Sequence, residues 1–422
     1  MKIYTRKSIR RQSYKIYTLG CKVNQYDSGK LAAELKQAGL AMAAKNADIA
    51  IINSCAVTKT AMIKSGRMIK LARTENPKAK IVLAGCWPKT GEVQGQVKGV
   101  DLVLQAGDVE SLIKQIFKQY QKQPEIASPL INSGLAMTAR GRYFIKIQDG
   151  CEQYCSYCII PYARGGLKSR GEREVVNEIK QAVKAGYQEI VLSGIHLGLY
   201  GKESKPSNDN LVGLIIKIIK INGLGRVRLS SIEITEVKDE LIGLIKKSRK
   251  ICRHLHIPLQ SGRDSVLKRM NRPYDTKYFI NKIKQIRRAV PDIAISTDVI
   301  AGFPGEMEKD FKETVKFIKQ IKFSRLHIFP FSAHEKTPAA KMPGQVAEKI
   351  KARRAKILRQ LGVKLAEDYQ NKVRGRALEI VVEQIKQGKI VGKTEYYFNV
   401  AVAGEKIKNK NLKIGEIVKV LL

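Results

Sequence analysis

Three cysteines fall within eight residues, as Cys151-x3-Cys155-x2-Cys158 in the segment DGCEQYCSYCIIPYARG. Thiolates at that spacing sit on one tight loop and face a common centre. A structural zinc ion usually takes four ligands, commonly as two Cys pairs far apart in sequence. This loop has no fourth Cys or His beside it. A ferredoxin-type [4Fe–4S] cluster also takes four cysteines, so three ligands leave one iron open to a substrate or cofactor. An iron–sulfur cluster with an open iron is the stronger reading, and zinc is the alternative.

Three more cysteines have no local spacing but share a topological position. Cys21 follows KIYTLG, Cys55 follows DIAIINS and Cys86 follows KIVLAG. Each preceding run reads as a short apolar strand, and helical patterns around Ser28–Gly39 and Thr60–Arg73 come between them. Alternating strands and helices predict a parallel sheet, whose strands all end on one edge. The three thiols are then expected to converge as a second ligand set; the plain alternative is three separate buried thiols. Cys252, in KICRHLHIPLQSG, is expected to be structural. Seven cysteines and no secretory signal do not suggest a disulfide scaffold.

The elements that must position these residues form an α/β chain. A first domain is expected over 14–123, with a strand DLVLQAG (101–107) and a helix after Asp108. The aperiodic stretch KQPEIASPLINSG then serves as linker. A second domain over 137–365 repeats strand and helix: RYFIKIQDG, EIVLSG, RVRLSSIE, HLHIPLQ, IAISTDVIAG and RLHIFPFS alternate with helices such as 173–185 and 309–322. That repetition predicts a partial (β/α) barrel with its site at the carboxyl ends of the strands. Ser193, Gly194, Ser231, Glu233, His256, Gln260 and Asp298 fall near those ends, and GFPGE reads as a tight turn. A helix over 346–369 is expected to bury Val346, Ile350, Ile357, Leu361 and Leu365 on one face. Strand patterns then fill a small all-β region, 370–422.

Lys and Arg number 78 against 38 Asp and Glu, a formal charge of +40, and such an excess suits a polyanionic partner. With 44% hydrophobic residues the chain is not a disordered one. No run of 18 apolar residues is present. The basic N-terminal stretch (Lys2, Arg6, Lys7, Arg10, Arg11) lacks an apolar segment, so neither a membrane span nor a secretory signal is expected. The expectation is a soluble cytoplasmic protein. Arg164, Lys168, Arg170 and Arg173 form a basic stretch just after Cys158, and Lys349, Lys351, Arg353, Arg354, Lys356, Arg359 and Lys364 stud the 346–369 helix. Such runs are ordinarily solvated faces; beside a reactive mouth they are candidate RNA contacts.

With Tyr157 before its last cysteine, the three-Cys loop resembles that of the radical S-adenosylmethionine (SAM) superfamily. TLGCKVNQYDS, INSCAVT and AGCWPK resemble the N-terminal domain of the methylthiotransferases within it. RLSSIE, LHIPLQSG and STDVIAGFPGE are similar to that family's radical core. The resemblance implies two [4Fe–4S] clusters. Cys151, Cys155 and Cys158 would hold the radical-generating cluster, whose open iron chelates SAM for cleavage to a 5′-deoxyadenosyl radical. Cys21, Cys55 and Cys86 would hold an auxiliary cluster that carries or delivers sulfur. Tyr157, Ser193, Gly194, Ser231 and Glu233 would line the SAM site. SGIHLGLYG, HIFPFSAHEKTPAAKMPGQV and the opening KVNQYDS look most like the bacterial branch that acts on N6-threonylcarbamoyladenosine (t6A) at position 37 of tRNA. That branch implies the anticodon loop of ANN-decoding tRNAs as substrate, a low-potential donor such as flavodoxin or ferredoxin, and a monomer. Isopentenyladenosine-37, a ribosomal-protein aspartate, or a non-catalytic iron–sulfur RNA-binding role are the alternatives. The C-terminal strands resemble a TRAM RNA-binding barrel, with Arg164, Lys168, Arg170, Lys393 and Tyr396 as RNA-contact candidates, along with Tyr397 and Asn399. Strand alternation points one of the two tyrosines inward.

Overall fold

The structure is a computed structural model that describes residues 12–90, 97–104, 114, 116, 141–203, 210–404 and 412–421. The chain divides into two compact units, Met1–Ala136 and Met137–Leu422. The basic N-terminal arm and the linker lie outside the described residues, as does the helix expected after Asp108 except for Lys114 and Ile116, which are helical.

The first unit is a parallel sheet ordered β2-β1-β3-β4-β5, built from β1 (Ser13–Thr18), β2 (Ala41–Met42), β3 (Ile49–Ser54), β4 (Lys80–Gly85) and β5 (Leu102–Val103). All six residues of β3 are buried, as a central strand covered on both faces requires. On one face Leu31 and Leu35 of α1 (Lys22–Gln37) pack on Ile49, Ile51 and Val82; on the other, Ile69 and Ala72 of α2 (Lys59–Glu75) pack on Ile52, Ile81 and Leu83. Helix α1 begins directly after Cys21 rather than near Ser28. Its first turn, including Val23 and Asn24, is buried for polar reasons that apolar periodicity does not register.

The second unit places six parallel strands in chain order. These are β6 (Tyr143–Lys146), β9 (Glu189–Ser193), β10 (Arg226–Leu229), β11 (His254–His256), β12 (Ala294–Ala301) and β13 (Arg325–Pro330). The two three-stranded halves meet through the parallel bridges Val227–Ile251 and Ser231–His256, giving the expected partial barrel. A short hairpin, β7 (Gln148–Asp149) with β8 (Lys168–Ser169), flanks the three-Cys loop.

An antiparallel sheet closes the amino-terminal end of the barrel strands. It comprises β14 (Ala377–Lys386), β15 (Lys389–Thr394), β16 (Asn399–Ala403) and β17 (Ile417–Leu421). Within the expected all-β region, residues 389–403 form two strands separated by a turn at Tyr397, which adopts φ +75°. Tyr397 stacks on His254 with ring centroids 4.6 Å apart, and Arg228 and Lys393 lie 5.2 and 4.8 Å from its ring centre. Arg226 donates to the carbonyls of Glu379 and Lys393, and Arg228 to those of Thr394 and Glu395, at 2.8–3.1 Å. Glu189, fully buried, is the counter-ion, 2.6 Å from Arg226 and 2.7 Å from Arg228. Lys393 and Tyr396 are therefore buried, at 7% and 8% exposure, and are withdrawn as RNA contacts. The barrel covers the face of the sheet that strand alternation alone would leave to solvent.

The long C-terminal helix, Glu348–Val373, buries Leu365 as expected but not the rest of the expected apolar stripe. Lys351, Arg354, Ala355, Leu358 and Leu365 are buried, whereas Ile350 and Ile357 are 39% and 38% exposed. The Arg354 guanidinium pairs with buried Glu306 at 2.9 Å, and the Lys351 side chain packs over the Phe331 ring. Those anchors fix the helix's rotation.

Candidate active site

Three of the cysteine loops are shaped by the glycine before them. Gly20, Gly85 and Gly150 precede Cys21, Cys86 and Cys151, with φ of +103°, +92° and +72°. A Cβ on Gly85 would lie 2.4 Å from the Ser54 carbonyl oxygen, and one on Gly150 would lie 1.8 Å from that of Gly166. Only glycine fits both the left-handed backbone and the close approach.

In the first unit, the ends of β1, β3 and β4 bring their cysteines to one edge of the sheet. Buried Asn24 ties the three loops together. Its Nδ2 donates to the carbonyls of Leu19 and Ser54, each at 2.9 Å, and its Oδ1 lies 3.6 Å from Cys86 Sγ. Asn53 donates in turn to the Asn24 carbonyl at 2.9 Å. The side chain of Cys55 packs where a Gly20 Cβ would otherwise sit. The asparagine that ties these loops together was not expected.

In the second unit, the hairpin and the end of β6 carry the three-Cys loop. Burial first, then the neighbouring Cys155 and Cys151, push the Cys158 thiol up to about 12. Three thiols this close cannot all ionise alone, whereas a bound metal deprotonates its thiol ligands outright. The donor set therefore fits a cationic cluster.

Two side-chain relays support it. His196 Nδ1 lies 3.3 Å from Cys151 Sγ, and its Nε2 pairs with Glu236. Arg272 Nη1 donates to Cys155 Sγ at 3.1 Å, Nη2 pairs with Glu233, and Nε donates to the Tyr274 hydroxyl at 3.1 Å. Gln148 links the loop to the end of β9: it donates to the Gly150 carbonyl at 2.8 Å and accepts from the His196 N–H at 2.7 Å.

Of the SAM candidates, Tyr157 packs edge-on against Phe303, with centroids 6.5 Å apart. Glu233 engages Arg272. Ser193 is buried, and Gly194 lies against the Gln148 side chain. Ser231 bridges to His256 at the end of β10. Of the basic candidates, Arg164 grips Asp149 through two contacts of 2.9 Å, while Arg170 pairs with Glu174 and with Glu178, the latter at 2.7 Å. These two arginines hold the loop, and Lys168 and Arg173 face solvent.

Residues 145–318 match the radical SAM superfamily, and residues 13–105 match the family described as uncharacterized protein family UPF0004. The chain is 39% identical to the threonylcarbamoyladenosine tRNA methylthiotransferase MtaB of Bacillus subtilis, over 96% of this chain and 92% of that one. It is 37% identical to the protein of the same name from Thermotoga maritima, over 94% and 92%. The chain belongs to the radical SAM methylthiotransferase family. A tRNA-2-methylthio-N(6)-dimethylallyladenosine synthase from Carboxydothermus hydrogenoformans is also similar, at 33% identity over 97% and 96%. Among solved structures, the radical SAM methyltransferase TsrM of Kitasatospora setae with cobalamin and a [4Fe–4S] cluster bound has a TM-score of 0.59 at 12% identity. The match covers 78% of this chain and 74% of that one, a likeness of fold.

This methylthiotransferase thus uses SAM and [4Fe–4S] clusters. Its sequence already displayed His196 and Arg272, in SGIHLG and MNRPY, but nothing local links them to cysteines 45 and 117 residues away. Arg272→Lys keeps the charge and loses the three-way fork. Loss of such an outer contact is expected to slow 5′-deoxyadenosine formation about 10–100-fold. Iron content measured on the same preparation should stay at the wild-type level.

Proposed function

We propose that this chain is a tRNA methylthiotransferase that converts t6A at position 37, in the anticodon loop of ANN-decoding tRNAs, to its 2-methylthio derivative. The three-thiol loop braced by the His196 and Arg272 relays at the carboxyl ends of the barrel strands is the observation that carries the reading. The printed names of the relatives from B. subtilis and T. maritima support the substrate. Cys151, Cys155 and Cys158 would hold the radical-generating cluster, and Cys21, Cys55 and Cys86 the auxiliary one. When bound, these groups supply reductive cleavage of SAM, sulfur and, from a second SAM, the methyl group. The chain's own residues position them. Arg272 and His196 brace the thiols, Gln148 fixes the loop against β9, and Tyr157, Ser193, Gly194, Ser231 and Glu233 form the SAM-facing wall.

No helix among the described residues is long and apolar enough to cross a membrane. A cytoplasmic monomer reduced by a flavodoxin or ferredoxin fits the proposed activity. The anticodon loop is single-stranded, so its base can be presented to a pocket. The C-terminal sheet acts as a TRAM-like RNA platform through its outward lysines, Lys386, Lys389 and Lys419, all exposed. Lys168, Arg173, Lys349, Lys356 and Arg359 extend that basic surface. Affinity for tRNA is expected to fall steeply with salt. Replacing Lys386 and Lys389 together by alanine should lower the slope of log affinity against log salt by about 1.4–1.8, as two lost phosphate contacts would. Filter binding across a potassium chloride series measures it, and an unchanged slope removes this face from the interface.

Mass spectrometry of nucleosides from a strain lacking the gene tests the function. The 2-methylthio derivative of t6A is expected to disappear while t6A accumulates. Its persistence would overturn the assignment.

A further inference from the structure

Within the barrel, three neighbouring strands carry a cluster that neither cysteine set uses. His256 ends β11, Asp298 lies on β12 and His327 on β13, where Asp298 is the direct register partner of His327. Their candidate ligand atoms all lie within 4.8 Å of one another. Asp298 Oδ1 is 3.1 Å from His256 Nε2 and 3.3 Å from His327 Nδ1. The two imidazoles are near-parallel, with centroids 5.1 Å apart and an interplanar angle of 25°.

We propose that His256, Asp298 and His327 form a divalent-cation site of the zinc class inside the barrel, distinct from both cysteine triads. The distances carry the argument. Around a tetrahedral ion with nitrogen and oxygen ligands at about 2.0–2.1 Å, adjacent ligand atoms are about 3.3 Å apart and two bound imidazole rings about 5 Å apart. The two Asp298 contacts match the first, the ring separation matches the second, and the two histidine nitrogens lie within 4.8 Å of each other. Two histidines with one carboxylate are also a donor set that divalent first-row metals favour.

The surroundings suit a ligand set as well. His256 Nδ1 is held by Ser296 Oγ at 2.9 Å, and the same oxygen lies 2.8 Å from His254 Nε2. That contact turns the Nε2 edge of His256 toward Asp298, as an outer hydrogen bond does for a metal-bound histidine. All three ligands sit on β-strands, so the geometry is set by the sheet. The side chains of Asp298 and His327 keep 23% and 32% exposure, which leaves a fourth position open to an oxygen donor.

The test uses full-length enzyme with both clusters reconstituted, so that the cluster thiols are engaged, dialysed against buffered micromolar zinc. Metal analysis by mass spectrometry is expected to find about one zinc per chain in addition to iron, the stoichiometry of a single such site. His327→Gln and Asp298→Asn should each lose that zinc, or bind it at least about tenfold more weakly, with iron unchanged. The half-exposed His327 provides a variant that tests the site without disturbing the core. Wild-type protein that takes up no more zinc than the two variants overturns the proposal. The cluster is then a hydrogen-bonded triad only.

Discussion

Cys155→Ala is expected to end SAM cleavage while leaving the auxiliary cluster in place. Two clusters correspond to about eight irons per chain, so the variant should retain about four. Its 5′-deoxyadenosine formation should fall to background. The reason is geometric: Cys155 is the thiol that Arg272 contacts at 3.1 Å, so the replacement removes a proposed cluster ligand and one of the three contacts of that guanidinium. Cys55→Ala should give the complementary phenotype. It also leaves about four irons, yet 5′-deoxyadenosine continues to form and methylthiolated product does not, because the radical-generating loop is intact. Cys252→Ser is the control. That thiol is buried, its nearest charged groups are Arg226, Arg228 and Glu189, and no second cysteine stands near it in sequence. Activity and iron are expected to be unchanged. If Cys155→Ala kept SAM cleavage, the assignment of the three-Cys loop would be wrong.

Glu189→Ala is expected to be the most damaging substitution for stability. The carboxylate is fully buried between Arg226 and Arg228, with Arg142 3.9 Å away. Removing it leaves buried guanidinium groups facing one another, and breaking a buried pair in this way costs about 3–5 kcal/mol. The same arginines hold the C-terminal sheet on the barrel, so the sheet should loosen first. Limited proteolysis should then cut near 377–421 at lower denaturant than in wild type. Trp87, the chain's single tryptophan, lies in the first unit and should report an unchanged transition there. The pH dependence has a definite sign. Burial raises the Glu189 carboxyl, but Arg226 and Arg228 outweigh it and bring it from 4.5 to about 2. Its contribution is therefore complete above about pH 4.5 and is lost as pH falls towards 2. Glu189→Gln should flatten the acid limb of the stability curve; an acid limb identical to wild type would show that Glu189 does not govern it.

The cysteine chemistry was legible because it is local. Three thiols at short spacing and three glycine- or serine-preceded thiols after apolar runs declare themselves without any contact map. The parallel sheet and the barrel followed from apolar runs, and β4 matches its expected span residue for residue. What periodicity could not reach are the contacts made through space. Asn24 reads as an ordinary helical polar residue, yet it knits three loops. Arg272 and His196 stand far along the chain from the cysteines they brace. Two of the RNA-contact candidates in the C-terminal sheet failed for a related reason. Lys393 and Tyr396 face a neighbouring domain, and a residue pattern records that a strand has two faces but not what covers the second. The long helix shows the same limit. Its apolar stripe predicted burial of Ile350 and Ile357, but the Arg354–Glu306 pair and the Lys351–Phe331 contact set its rotation instead.

The +40 charge first pointed only to a polyanion. The structure divides it: Arg226, Arg228, Arg272 and Arg354 are internal fasteners, and the outward lysines are what remains for RNA. The central claim is the reaction itself. Purified protein, anaerobically reconstituted and supplied with SAM, a low-potential reductant and tRNA bearing t6A at position 37, should yield 2-methylthio-t6A by liquid chromatography and mass spectrometry of digested nucleosides. Unaltered t6A, alongside methylthiolation of isopentenyladenosine-37 in a parallel reaction, would contradict the account.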